Sequence, residues 1–390
     1  MKVRAICHFF FPTALVFLDQ LEGGGSATYN MPAALRPLWA ICTSNALEQS
    51  LIAMVQRHET LRTTFPSMNG MPSQKPHPLS AINYKLSVVL LHDLPTEKQA
   101  TEVQRLATEE AQRPFDLAKG PLFRTTLLQV GAQEHVLLVT MHHIISDGWS
   151  IGVFIREIAK LYEAFSKGKP SPLSPLPIQY ADFAHWQRQW LTGDVLETQI
   201  NYWQQQLAGI PALLELPTDR PRPPVQSFKG HAQCFEINQA LSSQLKQLAQ
   251  KQGATLFMTL LSAYVILLHR YSGQEDIVVG SPIANRNRSE IESLIGFFVN
   301  TLVLRTQLSD KPHFIDLLNQ VREMSLEAYD HQDMPFETLV EIIQPQRSLN
   351  HSPLFPVMFV PSECAKGSTR TVRASSQCFR EKICHPQNLI

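Results

Sequence analysis

A strand-like run from His135 to Met141 delivers two adjacent histidines, His142 and His143, into a short turn that ends in the pair Asp147-Gly148. This stretch constrains the fold more than any other. Successive side chains of a strand point to opposite faces, so at its end one histidine is expected to face the interior and the other a cleft. The two are not expected to share a role. A pair of hydrogen-bonded histidines in a tight turn is the structural alternative, since a motif match is a hypothesis.

The hydrophobic pattern around this loop is α/β. Asn45 to His58 has Leu47, Leu51, Met54 and Val55 at helical spacing, with Asn45 and Glu48 placed as a capping box. Tyr84 to Leu91 is expected as a strand, and Thr96 to Gln112 as a helix with Val103 and Leu106 inward. Leu122 to Val130 and His135 to Met141 suit a hairpin about Gly131. Beyond the loop, Ile151, Phe154, Ile155, Ile158, Tyr162 and Phe165 trace a helix that packs back on the sheet. Pro170, Pro172, Pro175 and Pro177 then mark a semi-rigid connector.

The second half repeats the mixture. Helices are expected over Ala181 to Leu191, Leu196 to Leu207, Leu241 to Gln252, Leu256 to Tyr271 and Phe314 to Tyr329. Strands are expected over Ala232 to Ile237, Ile277 to Gly280 and Thr301 to Leu308, with a proline-rich crossing from Pro217 to Pro224. The division is therefore 1–169, a connector at 170–178, 179–360, and a tail at 361–390.

Lys plus Arg equals Asp plus Glu at 34 each, so no net field recruits nucleic acid or an anionic membrane. Six cysteines lack the short spacings of a zinc site or a disulfide framework, which fits a reducing cytosol. Met1-Lys2-Val3-Arg4 and the apolar run from Ala5 to Leu18 have the charge and length of a signal peptide and are too short to span a membrane.

His142-His143-Ile144-Ile145-Ser146-Asp147-Gly148 resembles the His-His-x-x-x-Asp-Gly signature of the condensation domains of nonribosomal peptide synthetases and of the wider chloramphenicol-acetyltransferase-like acyltransferases. Four further stretches resemble that family's motifs in its order. They are Arg57 to Phe65, Tyr180 to Trp186, Ile295 to Thr301 and His331 to Glu337. The flavour resembles domains that join two L-configured residues. The resemblance, over roughly 17 to 360, implies two acetyltransferase-like lobes in a V with a central tunnel. It also implies transfer of an acyl or peptidyl group from one carrier protein's phosphopantetheine thioester to the amine of an aminoacyl group on a second carrier. The opening run and Phe17-Leu18-Asp19-Gln20-Leu21 would then stand where that domain begins, which argues against export and for the cytoplasm.

A thioester is already activated, and the sequence has no Walker-type glycine loop and no Gly-x-Ser-x-Gly elbow. No bound cofactor is expected, and the enzyme's contribution should be positioning, proton management and oxyanion stabilisation. By resemblance, His143 faces the tunnel as general base or as a group that orients the amine. An α-amino group with a pKa of about 7.7 to 8.0 is partly neutral near pH 7, which leaves both roles open. His142 is assigned to packing, and Gly148 to close backbone approach with its N–H as an oxyanion donor. Asp147 is expected to pair with Arg286, with capping of the helix from Ser150 onward as the alternative. Neighbouring strand residues diverge, so His142, His143 and Asp147 are not expected to bind a metal.

Arg57 at the end of the first helix is expected as solvated surface charge, and Arg62 as structural, because in the family this block stabilises the tunnel lobe. Trp149, Ser150, Asn300 and Thr301 are placed at the tunnel or substrate. Core packing is the favoured reading of Trp149, and strand-end capping is the alternative for the Asn300-Thr301 pair. Asp333 to Glu337 should lie near the bridge between lobes, with Pro335 stopping the preceding helix.

Three places depart from the family: the opening motif before Phe17, the segment from Pro37 to Ser44, and Pro361 to Lys366 in place of Leu-Gln-Asn-Ala-Pro. Pro361 to Lys366 can be encoded by a sequence that, shifted by one base, reads Leu-Gln-Asn-Ala-Pro, so a frameshifted or eroded gene is expected. The alternatives are then an inactive remnant that docks carrier proteins, possessing the fold without the reaction, and an acyltransferase that uses coenzyme A. Adjacent adenylation domains are further expected partners.

Overall fold

The computed structural model describes residues 7–8, 27–37, 43–68, 71–81, 84–224, 233, 235, 237–308, 312–345, 352–360 and 372–373. In chain order the strands are β1 (Cys7–His8), β2 (Asn30–Pro37), β3 (Thr63–Thr64), β4 (Ser67–Met68), β5 (Met71–Pro76), β6 (Ser87–Leu90), β7 (Phe123–Gln129), β8 (His135–His142), β9 (Asp276–Ile283), β10 (Asn300–Gln307) and β11 (Val372–Arg373). The helices are α1 (Ser44–Arg57), α2 (Thr96–Gln112), α3 (Gly148–Phe165), α4 (Tyr180–Trp190), α5 (Gly193–Gln206), α6 (Gln239–Lys251), α7 (Leu256–Ser272), α8 (Ser289–Glu292), α9 (Phe314–Asp330) and α10 (Phe336–Ile343).

The sheet that carries the histidine loop has the order β11-β2-β8-β7-β6. Its pairs are antiparallel except β6 with β7, which run parallel because α2 makes the crossover between them. All eight residues of β8 are buried, so both of its faces are covered, as a near-continuous apolar run demands. Val136 and Leu138 face α2, with Val103 and Ala107. Leu137, Val139 and Met141 face the other way, into a core with Leu47, Leu51 and Met54 of α1 and Phe154 and Ile158 of α3.

A separate core lies in the second half, where β9 and β10 pair antiparallel and Leu261, Val265, Leu317 and Val321 of α7 and α9 cover them. The cores do not divide cleanly at the proline connector. Tyr180 and Phe183 of α4, together with Ile291, Leu294, Ile295, Phe297 and Phe298, pack into the core of the first half.

Several local expectations change. Helix α1 begins one residue early, with Thr43 as its N-cap and no side-chain cap bond, so Asn45 and Glu48 form no capping box. The Glu48 carboxylate instead accepts from the Leu86 N–H at 3.3 Å. Strand β2, which is not among the strands expected above and contains Pro32 and Pro37, pairs with β8 over residues 30 to 35. Among the described residues its outer edge is paired only at Arg36 and Pro37 and not at Pro32, so the missing N–H of Pro32 costs no ladder bond on that edge. Pro335 does not stop α9, which ends at Asp330; it is the N-cap of α10. The strand expected over 232–237 falls mostly, and the runs 9–18 and 361–366 wholly, outside the described residues.

Candidate active site

At the end of β8 the two histidines part, and their hydrogen bonds give them opposite tautomers. His142 is 1% exposed. Its Nδ1 accepts the Ile144 N–H at 3.1 Å, so in the neutral ring the proton sits on Nε2. Burial first, and then the His143 and Arg124 charges, push its pKa down to about 3. Tyr29 and Phe115 flank the ring, each with centroids 6.0 Å away.

His143 is half-buried. Its Nδ1 lies 2.8 Å from the Ser146 carbonyl oxygen, and a carbonyl only accepts, so Nδ1 carries the proton and donates it. The lone pair of neutral His143 is therefore on Nε2. Phe297 meets the imidazole edge to face, with centroids 5.1 Å apart and planes at 82°.

Asp147 both caps a helix and pairs with Arg286, so the two alternatives coexist. As N-cap of α3 its Oδ1 accepts the Ser150 N–H at 2.8 Å and the Ser150 hydroxyl at 2.7 Å. Arg286 Nη2 donates to Oδ1 at 3.2 Å and to Oδ2 at 3.3 Å. Oδ2 also accepts the Phe298 N–H at 3.0 Å. The pair is almost fully buried. Arg286 Nη1 donates to the carbonyls of Ile291 and Leu294, and its guanidinium lies 4.1 Å over the Phe298 ring.

Ser150 is 0% exposed, so it is not a wall residue as expected. Its hydroxyl donates to Asp147 or to the Gly296 carbonyl at 3.0 Å, and accepts the Gly296 N–H at 3.1 Å and Arg286 Nη2 at 3.0 Å. No surface is left for a substrate. Asn300 is likewise turned inward: Nδ2 donates to the carbonyls of Gln332 and Met334, and Oδ1 accepts the N–H groups of Thr301 and Phe336. It ties β10 to the start of α10. Thr301 is partly exposed beside it. Trp149 is 43% exposed and not core; its Nε1 donates to the Glu292 carbonyl at 2.8 Å, which pins the ring at the surface between the halves.

Gly148 is exposed, and a Cβ there would meet nothing within 4 Å. Nothing in the fold itself requires glycine at 148. Its N–H belongs to the first turn of α3, where helix donors have no intrahelical partner. Arg57 is not solvated surface charge, since Nε donates to Glu157 at 3.0 and 3.1 Å and Nη1 to the Ser174 carbonyl. Arg62 pairs with Glu59 at 3.3 Å and donates to the His77 carbonyl, with no bond to the histidine loop.

Two residues that hold the loop partner 295–298, and one glycine within it, carry no individual signal in the sequence. His58 Nε2 donates to Glu157 Oε2 at 2.7 Å, and its Nδ1 accepts the Ile295 N–H at 3.4 Å. Burial foremost lowers its pKa, against the opposing pull of Glu157. The Tyr180 hydroxyl donates to the Phe297 carbonyl at 2.8 Å. A Cβ on Gly296 would lie 2.4 Å from Tyr180 Cδ2, so glycine is required there for close approach. His58 and Tyr180 sit inside the quoted motifs, but only tertiary structure shows what they touch. Among the described residues, no three His, Cys, Asp or Glu side chains come together in a way that could hold a metal ion.

The sequence profile of the Condensation domain family matches residues 14–377. One of the linear gramicidin synthase proteins of Brevibacillus parabrevis is 52% identical over 351 residues, which cover 90% of this chain and 7% of that protein. The X-domain from teicoplanin biosynthesis superposes with a TM-score of 0.81 at 28% identity, covering 92% of this chain and 78% of the other. The condensation domain from the Monacolin K polyketide synthase MokA has a TM-score of 0.79 at 22% identity, covering 95% and 85%, a likeness of fold.

Proposed function

The chain belongs to the Condensation domain family, and from that premise we propose that it forms an amide bond between a carrier-bound acyl or peptidyl thioester and a carrier-bound aminoacyl group. The observation that carries this reading is the tautomer of His143. With the Nδ1 proton engaged at Ser146, the Nε2 lone pair is the free basic site of the loop, on a ring that is half-buried and not sealed in.

In the proposed step the amine nitrogen attacks the thioester carbonyl carbon, and His143 Nε2 takes or orients the amine proton. The tetrahedral oxyanion is placed at the N-terminus of α3, where the Gly148 N–H and the positive end of the helix dipole suit negative charge. The C–N bond forms, the C–S bond breaks, and the proton passes to the leaving thiolate. No water or covalent enzyme intermediate enters this balance. His142 is buried and holds its Nδ1 on Ile144, and Asp147 is committed to Arg286, Ser150 and Phe298. Both are therefore assigned to holding the loop, while the exposed Trp149 and the partly exposed Thr301 are proposed to border the substrate.

The partners in this reading are a donor and an acceptor carrier protein, each with its substrate on phosphopantetheine, with adenylation domains as neighbours. No single described helix is long and apolar enough to cross a membrane, and the cytoplasm is proposed as the site of action. The 1–169, 170–178, 179–360 and 361–390 division is retained as a proposal for how the chain is organised.

The test mixes the purified protein with two carriers loaded beforehand, after chelation and without ATP, and follows the amide product by mass spectrometry. Product formation that His143→Ala abolishes or strongly slows supports the reading. A folded protein that binds loaded carriers yet forms no amide supports the docking remnant, and turnover with free acyl-coenzyme A in place of the donor carrier supports the coenzyme A reading.

A further inference from the structure

The single bond from Nδ1 to the Ser146 carbonyl lets the His143 ring swing about the axis of that bond. A second restraint comes from the far half of the sequence. Phe297 sets its ring edge to face against the imidazole, with centroids 5.1 Å apart at 82°, and is itself 8% exposed in the core of the first half.

The backbone that presents Phe297 is held at every peptide from 295 to 298. His58 accepts the Ile295 N–H, Ser150 bonds both the N–H and the carbonyl of Gly296, Tyr180 donates to the Phe297 carbonyl, and Asp147 accepts the Phe298 N–H. Two of these four partners, Asp147 and Ser150, are the N-cap and a first-turn residue of α3, which begins three residues beyond the turn that His143 opens. The base and the ring that restrains it are thus bolted to one another through a shared frame.

We propose that Phe297 is a positioning residue for His143, fixing the imidazole plane so that the Nε2 lone pair keeps one direction, and that the Tyr180 hydroxyl sets the position of Phe297. The assignment rests on the reading of His143 as the group that handles the amine proton. A reacting group displaced by about 1 Å can lose on the order of 10²-fold in rate. Loss of the Phe297 edge should therefore lower kcat by roughly 10-fold or more, with KM changed little, because Phe297 would act through His143 and not through substrate affinity.

The kinetic experiment compares wild type, Phe297→Leu, Phe297→Tyr and Tyr180→Phe with preloaded carriers. Leu should lose kcat and Tyr should recover most of it. Tyr180→Phe, which keeps the ring packed against Gly296, should fall between wild type and Leu. In a His143→Ala background Phe297→Leu should leave the residual rate unchanged. An equal loss in both backgrounds overturns the proposal, since Phe297 would then act independently of His143.

A second measurement needs no turnover. In ¹³C- and ¹⁵N-labelled protein the His143 imidazole, which keeps its Nδ1–H bond to Ser146 throughout, should be as rigid as the backbone in wild type by ring-carbon relaxation and more mobile in Phe297→Leu, or in Tyr180→Phe if the Leu variant does not fold. Unchanged imidazole relaxation overturns the proposal. If the wild type forms no amide at all, the reading of the site fails, and the imidazole relaxation still decides this inference.

Discussion

Adjacent residues of one type are given different chemistry here by two backbone groups. The Ile144 N–H requires an acceptor at His142 Nδ1, and the Ser146 carbonyl requires a donor at His143 Nδ1. His143→Ala should therefore lower condensation by about 10²- to 10⁴-fold if Nε2 acts as a base, and a pH-rate profile that loses its acidic limb in the mutant would identify that base. The His142 pKa is held near 3 by burial, against about 6.5 in an unfolded chain. As pH falls the unfolded chain takes up this proton before the folded one, so the contribution is complete above about pH 6.5 and is lost as pH falls from there toward 3, with a limiting slope of about 1.4 kcal/mol per unit. His142→Asn retains an acceptor for Ile144 and should narrow its stability deficit from pH 7.5 to pH 5 in urea unfolding. Parallel curves would show that His142 does not titrate in this way. Asp147→Asn and Arg286→Ala should each cost about 3 to 5 kcal/mol, since either leaves a buried partner behind, and the double mutant should lose less than their sum. Strict additivity in melting experiments would dissolve the pair.

At the level of elements the decisive meeting is between the start of α3 and the segment 295–298. Gly296→Ala would drive a methyl against the Tyr180 ring, and overpacking of that kind costs about 1 to 3 kcal/mol. A melting temperature equal to wild type would mean that Tyr180 yields freely. Much of the secondary structure is legible in the sequence. The periodic apolar positions of α1, α2 and α3 locate those helices to within a residue or three, and the Thr96–Gln112 bounds agree at both ends. The Asp147–Arg286 approach is anticipated only through family likeness, because no local pattern links residues 139 apart. Ser150, Asn300 and Arg57 are misplaced by sequence reasoning for one common reason. Each is a polar residue whose partners come from distant sequence, so propensity and motif position indicate that it matters without indicating which way it points. The strand β2 is masked in the sequence by its prolines, and Pro32 is tolerated because the outer edge is unpaired beside it among the described residues.

For the molecule as a whole, the proline connector separates the chain without separating its cores. Tyr180, Phe183 and the segment 291–298 are covalently part of the second half and packed into the first. Heating should consequently give one cooperative transition, with near-ultraviolet and far-ultraviolet dichroism coincident; two resolved transitions would show that the halves fold apart. The stretch from Lys167 to Pro172 is nearly all exposed, as protease-sensitive loops are. A single nick there should leave two fragments that still migrate together through a sizing column, and that separate only in denaturant. The molecule would behave as a split protein whose complementing halves are clasped by a borrowed hydrophobic tongue, and the histidine loop with its partner segment would outlive the continuity of the chain that built it.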